Sequence, residues 1–107
     1  MEKKYGDLIQ AFKTTWDFFP GAVRLIDKGN VTIAVNRFAS EHGMEAGQIC
    51  AKMGAPESHR GCLKNAALVE QEGKIDSPTT DKIRGWLPIE GYPEVVVHFS
   101  LSLPDAK

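Results

Sequence analysis

The chain lacks an excess of charge of either sign, and that absence excludes much. Thirteen basic against fourteen acidic residues leave a formal net charge of -1. The charges are interspersed, with no basic run beyond Lys3-Lys4, so nothing draws it electrostatically to nucleic acid or an anionic membrane. It also lacks a long apolar run: the longest stretches are about five residues, against the roughly 20 that span a bilayer. The first residues, Met1 to Asp7, have no apolar core of the signal-peptide kind. A cytoplasmic location is therefore expected, where the two cysteines rest as reduced thiols. Enzyme signatures are missing too. Gly43, Gly47, Gly54 and Gly61 are too scattered for a phosphate loop, and no Gly-x-Ser-x-Gly, His-Glu-x-x-His or EF-hand loop occurs. What remains is 107 residues, 42% hydrophobic and 25% charged, the profile of one soluble globular domain with a modest core.

Within that domain the patterning is legible. Tyr5, Leu8, Ile9, Phe12, Trp16 and Phe19 recur at spacings of three and four, which predicts an amphipathic helix to about Phe18, ended by Pro20-Gly21. Trp16 and Phe19 read as core or docking residues. Ala22–Asp27 and Val31–Val35 are short strand-like runs joined by Lys28-Gly29-Asn30, a hairpin signal. Asn36 is a candidate N-cap for a short helix, Arg37–His42, with Gly43 suited to its left-handed end. A further short helix is expected over Ala46–Lys52, and another after Ser58 that carries Cys62, Leu63, Ala66 and Val69 as its inner stripe and stops near Gly73. Two strand-like stretches follow, Thr79–Leu87 and Glu94–Leu103, with a turn over Glu90 to Pro93. In the second, Val95, Val97, Phe99, Leu101 and Leu103 alternate with Val96, His98, Ser100 and Ser102, predicting one buried and one mixed face. The order predicts an α+β layer: one antiparallel sheet of four or five strands with helices on one face.

The residues most open to chemistry lie between Ile49 and Leu63. Cys50, His59 and Cys62 are spaced so that eight and then two residues separate them. Two thiolates and an imidazole suit zinc or another borderline-soft metal, with Glu57, His42 or a water as the fourth ligand. Three readings stay open: structural or free thiols, a metal or iron cofactor, and a redox disulfide favoured by a lowered thiol pKa at the start of the helix bearing Cys62. His59 alone reads as a capping or surface residue or a haem ligand, His98 as solvated or at an interface, and His42 as a helix-end residue that favours the dipole.

The run from Phe18-Phe19-Pro20-Gly21-Ala22-Val23 through Val31-Thr32-Ile33-Ala34-Val35-Asn36-Arg37-Phe38-Ala39 and Gly43 to Leu103 resembles the PAS sensor domain. In that family a proline-containing turn precedes the first strand, and an asparagine ends the second strand and opens the helical segment. Gly47-Gln48-Ile49-Cys50 and His59-Arg60-Gly61-Cys62 are similar to the cysteine-bearing segment of one bacterial subgroup, with His59 where that pattern has its first paired cysteine. The resemblance implies five strands, the last two a long hairpin. Here either the final strand is missing and an edge lies open, or Thr79–Leu87 and Glu94–Leu103 are themselves that hairpin and a short strand precedes them.

The expected organisation is an N-terminal helix over residues 1–19 and a PAS-like domain over 20–107. The resemblance implies a sensory or interaction domain of signal transduction, not an enzyme. A small ligand or cofactor would lie in a hollow lined by Leu25, Ile33, Phe38, Met53, Leu63, Val97 and Phe99. Expected partners are a second copy of the chain, through the Tyr5–Phe19 stripe or the last strand, and a signalling output partner. A small α+β enzyme using the same hollow, and a purely structural dimerisation domain with a filled core, are the alternatives.

Overall fold

A computed structural model describes residues 5–48 and 63–102. The first helix, α1 (Gly6–Trp16), ends two residues before the expected point. Strands β1 (Ala22–Asp27) and β2 (Thr32–Val35) form the expected hairpin. Asp27 Oδ1 closes its turn by accepting from the amides of Gly29 at 2.9 Å and Val31 at 3.0 Å. Asn30 takes the left-handed conformation there, with φ 71°, which asparagine tolerates better than most residues. Helix α2 (Arg37–Glu41) follows, and Gly43 adopts φ +91° as expected after it.

After the segment that follows α2 come α3 (Lys64–Glu70), β3 (Lys74–Thr79), β4 (Lys82–Ile89) and β5 (Tyr92–Ser102). The five strands form one antiparallel sheet in the order β2-β1-β5-β4-β3. The fold is thus the α+β layer with a single sheet, and it has five strands rather than four. Of the two readings of the C-terminal region, the second holds. β4 and β5 are the last hairpin, and the six residues of β3 precede them.

Four expectations need correction. Ala46–Gln48 is not helical, because Gly47 sits at φ +92° and its amide donates to Thr32 O at 2.7 Å while Thr32 N donates to Gln48 O at 2.8 Å. Those residues line the edge of β2 instead; the rest of the expected helix, 49–52, lies outside the described residues. The stretch Thr79–Leu87 is interrupted by a turn, where Ser77 Oγ donates to Thr79 O at 2.7 Å and to Lys82 O at 2.9 Å. The strand before that turn escaped notice because Lys74–Thr79 is a polar edge without alternation. On α3, Val69 is 83% exposed, and the side facing the sheet holds Ala67 and Lys64. Lys64 is buried because its ammonium group reaches the carbonyl oxygens of Asp27 and Lys28 at 3.4 and 3.0 Å. Finally, β5 is the centre of the sheet and both its faces are covered, so the four residues Val95 to His98 are all buried.

One face of β5 meets α1. Tyr5 and Phe12 pack with Val23, Leu25, Ile33, Ala34, Val95 and Val97, and Leu8, Ile9, Trp16, Phe19 and Phe99 join at the margin. Trp16, Phe19 and Phe99 form an aromatic cluster with ring centroids 5.3 to 6.4 Å apart. The Phe99 ring lies over Gly85 on β4, where a Cβ would stand 2.2 Å from it, so glycine makes room for the ring. The opposite face carries Ile26 and Val96, against which Leu68 of α3 packs.

The fully buried carboxamide of Asn36 joins these elements. Its Oδ1 accepts from Val23 N at 3.1 Å and from Ala39 N at 2.9 Å, the expected N-cap of α2. Its Nδ2 donates to Trp16 O at 2.9 Å and to Gly21 O at 3.0 Å. Both donors and both acceptor positions are used. At the other end of α1, Tyr5 OH donates to Glu94 Oε2 on β5 at 2.8 Å. Burial first, then that hydrogen bond and the negative charge of Glu94, push the Tyr5 pKa up to about 12.

Replacing Asn36 with Ala takes the partner from three buried backbone groups, Val23 N, Ala39 N and Gly21 O, leaves Trp16 O with the Phe19 amide alone, and should cost about 3 kcal/mol or more. The urea midpoint would fall with the slope unchanged, and a loss under about 1 kcal/mol would refute the assigned role. Tyr5 holds its proton more tightly when folded than when unfolded. Its contribution to stability is therefore complete below pH 10 and is lost as the pH rises towards about 12. Tyr5→Phe should flatten the alkaline fall in stability over that window; an unchanged profile would contradict it.

Candidate functional site

Register places a second set of side chains on the α3 face of the sheet. Paired residues of adjacent strands share a face, so the pairings Val35–Arg24, Arg24–His98, His98–Trp86 and Trp86–Lys74 define one row across all five strands. Ala22, Ser100, Arg84 and Asp76 form the next. Arg24, Arg84, Trp86 and His98 are each at least 92% buried, which is unusual for charged residues unless they are paired.

Partners account for much of this. Arg84 meets Asp76 through two bonds, Nε to Oδ1 at 3.0 Å and Nη2 to Oδ2 at 2.7 Å, the bidentate geometry that a guanidinium favours. Its Cζ lies 5.2 Å from the centroid of the Trp86 ring. The His98 ring stacks on Trp86 with centroids 4.8 Å apart and planes 8° from parallel. Its Nδ1 lies 2.9 Å from Gly85 O. A carbonyl oxygen only accepts, so Nδ1 carries the proton and Nε2 is an acceptor in the neutral ring. His98 is therefore a buried, oriented imidazole, not the solvated or interfacial one expected from the sequence. Trp86 Nε1, though fully buried, finds no acceptor among the described residues.

The sequence-derived site residues are distributed otherwise. Leu25, Ile33 and Val97 belong to the core cluster with Tyr5 and Phe12, and Phe99 packs beside them, so these four are in the layer that α1 fills. Phe38 is half-buried, with its ring stacked on His42 at 4.3 Å. Leu63 is half-buried at the start of α3. Met53, and the trio Cys50, His59 and Cys62 with Glu57, lie outside the described residues. Among the described residues no group of three or more His, Cys, Asp or Glu is placed to hold a metal ion. His42 Nδ1 is 2.8 Å from Phe38 O, closing its own helix.

Arg24, Arg84 and Trp86 were missed by sequence reasoning. The available signal was a guanidinium within each of two otherwise apolar strands, Ala22-Val23-Arg24-Leu25-Ile26 and Ile83-Arg84-Gly85-Trp86-Leu87. A charge there must be on a solvated face or in a built polar site. An open surface groove of about 660 Å³, lined by Lys28, Asn65, Leu68, Val69, Pro93 and Glu94, lies elsewhere and has no comparable set of buried polar groups.

Two solved structures share this architecture. A sensory box sensor histidine kinase from Vibrio cholerae superimposes with a TM-score of 0.67 at 12% identity, over 97% of this chain and 96% of the other. The PAS domain of Bordetella pertussis BvgS matches with a TM-score of 0.67 at 14% identity, over 94% and 89%. No family model matches the sequence, nor does any curated protein. The fold is that of PAS domains, as the resemblance implied. Among the described residues no helix is long and apolar enough to cross a membrane.

Asp76→Ala takes from Arg84 its bidentate partner and should cost about 2 kcal/mol. Asp81→Ala, in the exposed turn next to β4, should stay within about 0.5 kcal/mol. Equal effects in thermal or urea unfolding would deny the pair its structural part.

Proposed function

We propose that this chain is a sensory module of signal transduction that takes a small ligand on the α3 face of its sheet and reports through α1. One observation carries the reading. Arg24, Arg84, Trp86 and His98 are buried side by side on strands whose opposite face is an apolar core. Burying so much polarity is costly, and a scaffold with no ligand to recognise would be better served by aliphatic side chains. The likeness to a sensory box of a histidine kinase agrees with this, and the reading assigns no catalytic step to the chain. The output lies with a partner or with another part of the signalling protein.

Homodimerisation is the second reading, and the fold changes where it would occur. The Tyr5–Phe19 stripe packs on the chain's own sheet, and β5 is paired on both sides. Both are already engaged within the chain. The edge strand β3 presents Ile75, 64% exposed, and an edge of this kind is where another chain would add.

A graft tests the sensor reading. With this chain in place of the sensory domain of a histidine kinase, Asp76→Ala or Arg24→Ala should change autophosphorylation severalfold, while Asp81→Ala should not. A kinase indifferent to every substitution on the α3 face would dismiss the proposal.

A further inference from the structure

The two edges of the sheet differ in what meets them. At the β2 edge, Thr32 N donates to Gln48 O at 2.8 Å and Gly47 N donates to Thr32 O at 2.7 Å. At the other edge, β3 pairs among the described residues with β4 alone. Successive residues of β3 differ in kind. Lys74 and Asp76, on the α3 face, are half-buried, while Ile75, on the α1 face, is 64% exposed. Both charges are compensated within the chain, Lys74 by Glu70 and Glu72 and Asp76 by Arg84. Their side chains nonetheless keep 24% and 28% of their surface in solvent.

We propose that two copies of the chain join edge to edge, β3 against β3, in an antiparallel pairing centred on Ile75. The proposal rests on the homodimerisation reading and supplies its interface and register. Symmetry limits the choices. A closed pair of identical chains has a twofold axis, and for antiparallel edges of one sheet that axis stands perpendicular to the sheet. A residue on the axis faces its own copy, and residues equidistant from the axis face each other. Centring on Lys74 sets ammonium against ammonium, and centring on Asp76 sets carboxylate against carboxylate, both destabilising. Centring on Ile75 sets Lys74 of each copy opposite Asp76 of the other and brings two exposed isoleucines together. Pro78 has no amide hydrogen to give a partner, so the pairing ends at Ser77. Such a short edge makes a small interface and a reversible dimer. Ile75 is in line with Gly85 and Phe99, and Phe99 stacks on Trp16 at the end of α1. The interface therefore borders the aromatic cluster that holds α1 to the sheet.

The test is sedimentation of the whole chain from about 10 µM to 1 mM, the range of weak interfaces. A reversible monomer–dimer equilibrium is expected. Ile75→Lys sets like charges on the axis and should weaken association about tenfold or more. Phe18→Lys and Val69→Lys remove the other large exposed apolar side chains among the described residues and should leave it unchanged. Oxidation reads the register. With Cys50→Ser and Cys62→Ser in place, Ile75→Cys should give a disulfide-linked dimer. Lys74→Cys in the same background should not, because that position faces Asp76 of the other copy and lies too far from its own. A dimer undisturbed by Ile75→Lys would overturn the β3 interface and leave homodimerisation standing. Disulfide formation by Lys74→Cys in preference to Ile75→Cys would overturn the register. A monomer at every concentration would overturn the interface and the dimerisation reading together. Ile75 is exposed, so its lysine variant decides the matter even if the serine background fails to fold.

Discussion

The carboxamide of Asn36 is the constraint on which the arrangement depends. A side chain with two donors and two acceptor positions is placed where four backbone groups from four parts of the chain converge: the end of α1, the turn before β1, β1 itself and the first turn of α2. Three of these groups, Val23 N, Ala39 N and Gly21 O, are buried with the carboxamide, and backbone polar groups in that state must be paired. An aspartate would lose the two donors and bring a charge. A leucine would strand Val23 N, Ala39 N and Gly21 O and leave Trp16 O with the Phe19 amide alone. The angle at which α1 returns across the sheet is therefore set by hydrogen-bond valence as well as by apolar packing, and the apolar stripe of α1 then closes over a face already fixed in position.

That stripe and the sheet beneath it were legible in the sequence because the pattern is redundant. Six apolar positions in α1 agree with one period, and the Asn36 cap and the Lys28-Gly29-Asn30 turn each have a local chemical signature. The edge strand β3 was not legible. Lys74, Asp76 and Ser77 have no reason to alternate at the edge of the sheet, and the boundary with β4 depends on the hydrogen bonds of the Ser77 hydroxyl within the turn. The helix expected over Ala46–Lys52 failed, as far as it is described, for a related reason. The edge of β2 recruited the amide of Gly47 and the carbonyl of Gln48, a tertiary demand that local propensity does not register.

The candidate site was legible only in part. The alternation in β5 was correctly seen, but assigning Val97 and Phe99 to a hollow chose the face that α1 fills. The same alternation places Val96 and His98 on the other face. Hydropathy favours an apolar pocket and so points to the face where apolar residues make the layer beneath α1, and away from the face that carries Arg24, Arg84, Trp86 and His98. Burial of Arg24 and Arg84 could be inferred only once their strands were known to be central and covered. The pairing of Arg84 with Asp76 spans two strands whose register was not known.

The central place of β5 has a consequence for communication within the molecule. Val97 and Phe99 touch the layer beneath α1, and His98 between them is stacked on Trp86 in the other layer. Successive residues of a strand point to opposite sides, so the two layers are linked by covalent bonds along a single backbone. Any change that moves the main chain at His98 must carry its two neighbours with it. No chain of side-chain contacts is needed to cross the sheet: the path from the polar layer to the α1 layer is one peptide unit long.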